Sequence, residues 1–211
     1  MAKKIHTVIF DLDGTLSNSA LLTIHAFKNI APIFSLPAPT EEEIRRATGY
    51  ATPEFYFILF PDHPKEIILK AGTEVELEEL KILKSISGKL LFDGCLELLF
   101  KLKQMEIRLC IASTGDKDHV LSILNETGII NLFDIVLYGR PDKTEMLKEI
   151  IGQSDKDGCI MVGDMKKDYE AARQNNITSI GACFGYCRKD ATDFDYYIDS
   201  PKQLLSIILE E

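Results

Sequence analysis

Five short apolar runs separated by amphipathic stretches of helical period constrain this chain most. The runs cover residues 5–10, 107–112, 134–138, 159–163 and 178–183, with a weaker sixth at 195–198. Each is too short for a buried helix and reads as a buried strand. Between and after the later runs lie helical patterns at 94–105, 117–127, 143–151, 167–175 and 201–209. Strands alternating with helices predict βαβ units and a mainly parallel sheet covered on both faces, the α/β class. Residues 17–88 break this rhythm. They contain helical patterns at 18–35, 41–47, 52–60 and 64–86, punctuated by prolines and without a convincing strand. An all-helical block inserted after the first strand predicts a small second domain over 17–88, with 1–16 and 89–211 forming the α/β core.

Open parallel sheets bind ligands in the crevice at the carboxyl ends of their strands, so the residues ending each run carry the functional reading. The first run, Val8-Ile9-Phe10, leads into Asp11-Leu12-Asp13-Gly14-Thr15. Alternate residues on extended chain share a face, and two nearby carboxylates repel unless a cation or a shared proton intervenes. The second run ends in Ser113-Thr114-Gly115-Asp116. After the third come Gly139-Arg140-Pro141-Asp142-Lys143, and the fourth ends in Gly163-Asp164-Met165-Lys166-Lys167-Asp168. Acids, hydroxyls and a lysine at one sheet edge suit a divalent cation together with a phosphate. Magnesium takes a few carboxylates in an octahedral oxygen site, a role that fits Asp11, Asp164 and Asp168. Hydroxyls and backbone N–H groups at strand-to-helix turns suit phosphate oxygens, and lysine supplies a compact positive charge. A carboxylate can also act as a nucleophile.

Composition narrows the classes. The 211 residues carry a net charge of −9, which argues against a nucleic-acid partner, since phosphate contacts need clustered Lys and Arg. Met1-Ala2-Lys3-Lys4 is basic, but the following apolar run stops at Asp11, too soon for a signal peptide or a membrane span. Five cysteines form no CxxC pair and leave one over, so no disulfide framework or zinc site is expected and a cytoplasmic location follows.

Four separated motifs in this order make the chain resemble the haloacid dehalogenase superfamily over essentially its whole length. It is most similar to the phosphoglycolate-phosphatase-like branch with a helical cap after the first strand. The motifs are DLDGT (11–15), the run ending at Ser113, Lys143, and GDMKKD (163–168). The resemblance implies a Rossmann-like core and an Mg2+-dependent phosphatase of a small phosphorylated metabolite. Asp11 would attack phosphorus, and Asp13 would protonate the leaving oxygen and then activate water. Mg2+ would sit between Asp11, the backbone carbonyl of Asp13, and Asp164, with Asp168 one step further out. Ser113, Thr114, Lys143 and the Gly14 turn would hold the phosphate. An acid at Asp13 sets the chain apart from dehalogenase members and favours phosphoryl chemistry. A phosphomutase and a non-catalytic relative remain as alternatives.

Several residues have competing readings. Arg140 competes with Lys143 for the third motif, because many relatives have Lys-Pro where this chain has Arg140-Pro141. Lys143 is preferred, as the residue that opens a helical pattern. An EF-hand loop counted from Asp11 needs glycine sixth and glutamate twelfth but meets Leu16 and Leu22. Asp11 and Asp13 could be turn or cap residues, and Ser113 and Thr114 could cap a helix. Asp116 and Asp118 read as first-turn helix acids. His6, His25, His63 and His119 show no metal spacing and are expected to be structural. Tyr50, Phe55, Tyr56 and Phe57 are expected in the core of the helical block. Gly49 matches a loop that reaches toward the active site in capped relatives. Arg45 and Arg46 beside it are expected on the helix surface rather than against an anionic substrate.

Overall fold

A computed structural model describes residues 4–48, 50–153, 155–189 and 192–210. Six parallel strands form one sheet: β1 (Thr7–Phe10), β2 (Arg108–Ala112), β3 (Ile135–Leu137), β4 (Cys159–Gly163), β5 (Thr178–Ala182) and β6 (Tyr196–Ile198). Their order is β3-β2-β1-β4-β5-β6. Every adjacent pair is parallel, with Phe10 opposite Ile111 on one side and Val162 on the other. The weak sixth run is therefore a true strand on the sheet edge. Chain order reverses at β1, which makes its carboxyl end the topological switch point of the sheet.

Strand alternation builds two cores. Val8 and Phe10 of β1, Leu109 and Ile111 of β2, and Ile160 and Val162 of β4 point to one face. There they meet α5 (Cys95–Gln104), α6 (Lys117–Glu126) and α9 (Pro201–Glu210). Ile9, Cys110, Ala112 and Met161 point to the other face and pack on α7 (Lys143–Ile151) and α8 (Lys166–Asn175). All five cysteines are free. Among the described residues, no helix is long and apolar enough to cross a membrane.

The helical block comprises α1 (Ala20–Ile30), α2 (Glu41–Ala47), α3 (Glu54–Leu59) and α4 (Lys65–Ile86). It has a core of its own, in which Phe27 meets the rings of Tyr56 and Phe60 edge-on at 6.3 and 5.5 Å. The ring of Tyr56 lies flat on Gly72 of α4, where a Cβ would stand 2.7 Å from a ring carbon. Start signals are explicit at α2, where Thr40 Oγ1 accepts from Glu43 N–H at 3.3 Å and Glu43 Oε2 accepts from Thr40 N–H at 2.7 Å. The two chain segments joining the block to the sheet run side by side. Asn18 N–H donates to Leu90 O at 2.7 Å, and Phe92 N–H donates to Leu16 O at 3.0 Å. Tyr56 is a core residue as expected, whereas Phe55 and Phe57 are half-buried at its edge. Tyr50 departs from the expectation: it is exposed, with Lys167 of α8 4.8 Å above its ring. A phenol with a wet tip gains more there than in a closed aromatic cluster.

Candidate active site

Asp11 is the first residue beyond β1, and its N–H still donates to Val162 O at 2.9 Å. The pairing register then sets Asp164, just past β4, and Ser113, just past β2, at the same sheet edge. Asp11, Asp164 and Asp168 come together there with one oxygen of each within 4.8 Å of the others. All three are buried.

Lys143 is the first residue of α7 and is 3% exposed. Its Nζ lies 2.7 Å from Asp11 Oδ1 and 2.6 Å from Asp168 Oδ1. Arg140 points outward and pairs with Glu149 at 2.8 Å, so geometry separates the two third-motif candidates. A helix opening at residue 143, with Asp142 as its N-cap accepting from Thr144 N–H at 2.8 Å, aims Lys143 at the sheet edge and leaves Arg140 in the loop before it. Asp168 has both oxygens engaged: Oδ2 accepts from the N–H groups of Asp164 and Met165 at 3.1 and 2.9 Å. It ties the β4–α8 turn to Lys143. Asp164 is different, since Oδ1 accepts from Thr15 Oγ1 at 3.1 Å while Oδ2 is buried with no partner.

Three carboxylates face one ammonium here, a formal charge of −2. Burial first, and then the neighbouring acids, raise the Asp11 carboxyl to about 7 despite Lys143. The same causes, burial followed by Asp11 and Asp168, hold Asp164 well above the carboxylate range. A buried oxygen without a partner, in a cluster two charges short of neutrality, fits a divalent cation in both charge and donor type.

Asp13 stands outside this cluster. Its Oδ1 is 2.9 Å from Nε2 of His119, in the first turn of α6. Burial alone would raise Asp13, but the charge and hydrogen bond of His119 outweigh it and the net shift is downward. Burial would lower His119, yet Asp13, Glu79 and Asp116 raise it to about 9. Of the four histidines expected to be structural, His119 is the one the structure sets against a first-motif acid. His6 meets Thr7, His25 is exposed, and His63 packs on Phe60. The position of His119, six residues after Ser113, was the available signal, because the first turn of a helix following a strand faces the ligand edge.

Gly14 turns the chain with φ +78°, and a Cβ there would stand 2.6 Å from Asp164 Oδ2. Its carbonyl accepts from Tyr186 N–H at 3.0 Å. Tyr186 Oη donates to Asn18 Oδ1 at 2.6 Å and accepts from Ala20 N–H at 3.1 Å, clamping the Gly14 turn to the start of α1. Nothing in the spacing of the sequence marks Tyr186 for this task. Ser113 and Thr114 are buried at the end of β2, with Ser113 Oγ accepting from Gly115 N–H at 3.1 Å. Arg45 and Arg46 lie on the helix surface, bound to Glu41 and Glu42, and Arg45 also sits 4.8 Å above the Tyr186 ring. Gly49 lies outside the described residues.

Comparison with known proteins agrees with this geometry. The profile of the haloacid dehalogenase-like hydrolases matches residues 8–182. A phosphoglycolate phosphatase of Synechococcus elongatus is 25% identical over 98% of both chains. The pyrophosphatase PpaX of Listeria innocua is 28% identical over the full length of both. The crystal structure of a predicted phosphoglycolate phosphatase from Haemophilus somnus superposes with a TM-score of 0.85 at 19% identity, covering 98% of this chain and 99% of that one. With β2 to β5, all but the first residue of β1, and all four motifs inside the matched region, this chain belongs to the haloacid dehalogenase-like hydrolase family.

Proposed function

We propose that this chain is a magnesium-dependent phosphatase of small phosphate monoesters, acting through an aspartyl-phosphate on Asp11. The observation that carries the reading is the buried Lys143, held between Asp11 and Asp168 beside the unpartnered Asp164 oxygen. A lysine engaged only in structural pairing would not need three acids around it at the mouth of a sheet. The names of the phosphatase relatives point the same way.

Each residue then has a task that its surroundings permit. Asp11 is the nucleophile. It accepts a hydrogen bond from Leu12 N–H at 2.8 Å, which fixes its carboxylate at the strand end. Lys143 favours the ionised form of Asp11 against the burial that raises it, and offsets phosphate charge. Asp11, Asp164 and the Asp13 carbonyl would hold Mg2+, which when bound draws charge from phosphate oxygens and lets an anionic nucleophile approach an anionic ester. Asp168 keeps Lys143 and the Asp164 backbone in place. Ser113, Thr114 and the Gly14 turn receive phosphate oxygens. In the His119–Asp13 pair the proton rests on His119; the pair passes it through Asp13 to the leaving oxygen and later takes one from the water that cleaves the phosphoenzyme. His119 holds the Asp13 carboxyl on the side where the leaving group departs. Residues 17–88 serve as the cap that shields this chemistry from water. The free cysteines fit a cytoplasmic setting for the enzyme.

The test is phosphate release with Mg2+ from a panel of sugar phosphates, phosphoglycolate, nucleotides and pyrophosphate. Free phosphate is expected, and Asp11→Asn is expected to abolish it. An isomerised sugar phosphate without release would make the chain a mutase instead. Turnover retained in Asp11→Asn would refute the mechanism.

A further inference from the structure

Above Asp13 the site opens into a cavity of about 520 Å³ between the first turn of α6 and helices α1 and α4. Its size suits a small organic ligand. Asp13 is the proton donor to the leaving oxygen in the reading above, so the group departing from phosphorus occupies this space. The lining is lopsided in charge. Glu76 and Glu79 of α4 line it from the helical block, and Asp116 and Asp118 stand at its mouth. Glu79 is anchored by Thr23 Oγ1 at 2.5 Å, and Glu76 lies 3.4 Å from the Tyr56 hydroxyl.

Cations are scarce on the same walls. Among the described lining residues they are Lys117, exposed on α6, and His119, already committed to Asp13. Arg45 and Arg46 do not line the cavity and bind Glu41 and Glu42. Phe55 and Tyr56 add aromatic walls, surfaces that favour a neighbouring cation, while Tyr50 at the rim already carries Lys167 above its ring. A carboxylate or phosphate in the leaving group would therefore enter a negative enclosure with no strong counter-charge. Burial chiefly, with Glu76 and Asp13 adding and His119 opposing, pushes Glu79 up to about 7. Burial and then Asp116 raise Glu76. A positive group between them would relieve both.

Resting on the phosphatase reading, we propose that the leaving group carries an ammonium. The substrate class is the phosphate monoester of a small amino alcohol or amino sugar, with Glu76 and Glu79 as the residues that select it. The chain would then differ in specificity from relatives named for phosphoglycolate or pyrophosphate, whose leaving groups are anionic.

Three esters of similar length and different charge test this: 2-aminoethyl phosphate, 2-hydroxyethyl phosphate and phosphoglycolate, each with Mg2+, and p-nitrophenyl phosphate as a general phosphatase probe. The expected order of kcat/KM is ammonium, hydroxyl, carboxylate, with at least tenfold between the ends. Glu79→Gln and, separately, Glu76→Gln should each shrink the ammonium-to-carboxylate ratio about tenfold, mainly through KM. A melting curve for each variant confirms folding, and the ratio is insensitive to the amount of active enzyme. Equal or better use of phosphoglycolate by the unaltered protein overturns the proposal while leaving the phosphatase reading intact. So does an unchanged ratio in both variants. Failure to hydrolyse any ester, p-nitrophenyl phosphate included, overturns both.

Discussion

Replacing Lys143 by methionine tests the electrostatic design of the site most directly. Methionine keeps much of the side-chain volume and removes the ammonium that lies 2.7 Å from Asp11 and 2.6 Å from Asp168. Both partners are almost fully buried, so their charges cannot be recovered by water. Breaking a buried pair by removing one partner costs about 3–5 kcal/mol. Against a total stability of about 5–15 kcal/mol, that is a large fraction. For a chain of this size it corresponds to a fall in melting temperature of roughly 10 °C. The loss should depend on pH with a definite sign. Asp11 already has a folded pKa above its ordinary 3.8, so the folded state binds more protons than the unfolded one between the two values. Stability therefore falls as pH rises through that window. Without Lys143 the window widens upward, and the variant should lose most at pH 8 and least near pH 5. Mg2+ should recover part of the loss at pH 8, because the cluster then carries three uncompensated charges rather than two. The assay is thermal unfolding of both proteins at pH 5 and 8, with and without Mg2+. Equal melting temperatures at pH 8 without metal would refute the account of Lys143 as the counter-charge. Phosphatase activity should fall in the variant by about 10²–10³-fold, the scale seen when one electrostatic contact to a transition state is removed.

Other expectations follow from neighbouring contacts. In metal-free protein, the His119–Asp13 pair gives stability that is complete below pH 6.5, the ordinary histidine value, and lost as pH rises through about 9. At ~1.4 kcal/mol per pH unit this is at most about 3 kcal/mol. His119→Gln should remove that slope, measured by denaturant unfolding between pH 6 and 10; an unchanged slope would show that the pair contributes nothing. Mg2+ should raise the melting temperature of the unaltered protein, and Asp164→Asn should weaken that response at least tenfold in midpoint concentration, read by titration. Gly185→Ala would drive a methyl into the Gly14 carbonyl, closer than any real contact. It should cost more than about 2 kcal/mol and lower phosphatase activity through the displaced Gly14 turn; a melting temperature within 2 °C of the parent would argue against so tight an approach.

Much of the core was legible because its signals are local. Buried parallel strands must be short and apolar, so β1 to β4 stand out as runs rich in Val, Ile, Leu and Cys, β5 as a run of small residues around Ile180, and the helices between them keep a 3.6-residue period. Differences from the expected bounds are a residue or two at most strand and helix ends, where apolar character outlasts hydrogen bonding. The four motifs were legible for a related reason: strand ends in such a sheet are the places where charge can converge. His119 and Tyr186 were not, since neither has unusual spacing. Each acquires its task from a partner far away in sequence, Asp13 for one and Gly14 with Asn18 for the other. Tyr50 failed for the opposite reason, as aromatic content alone does not say which rings of a helical block close over the core and which lie at its rim.

By itself, the sequence determined an α/β sheet with a helical block inserted after its first strand, and the acids, hydroxyls and lysine that end the strands. Periodicity and strand-end position are properties of the chain alone. Only the tertiary structure decided how those groups divide. It joined Asp11 to Lys143 and Asp168, and Asp13 to His119, and left one oxygen of Asp164 without a partner. It also brought Glu76 and Glu79 from α4 over the site, some 60 residues away along the chain. Burial and the distances between charges set these pairings and the character of the cavity, and neither exists until the sheet and the helices have packed.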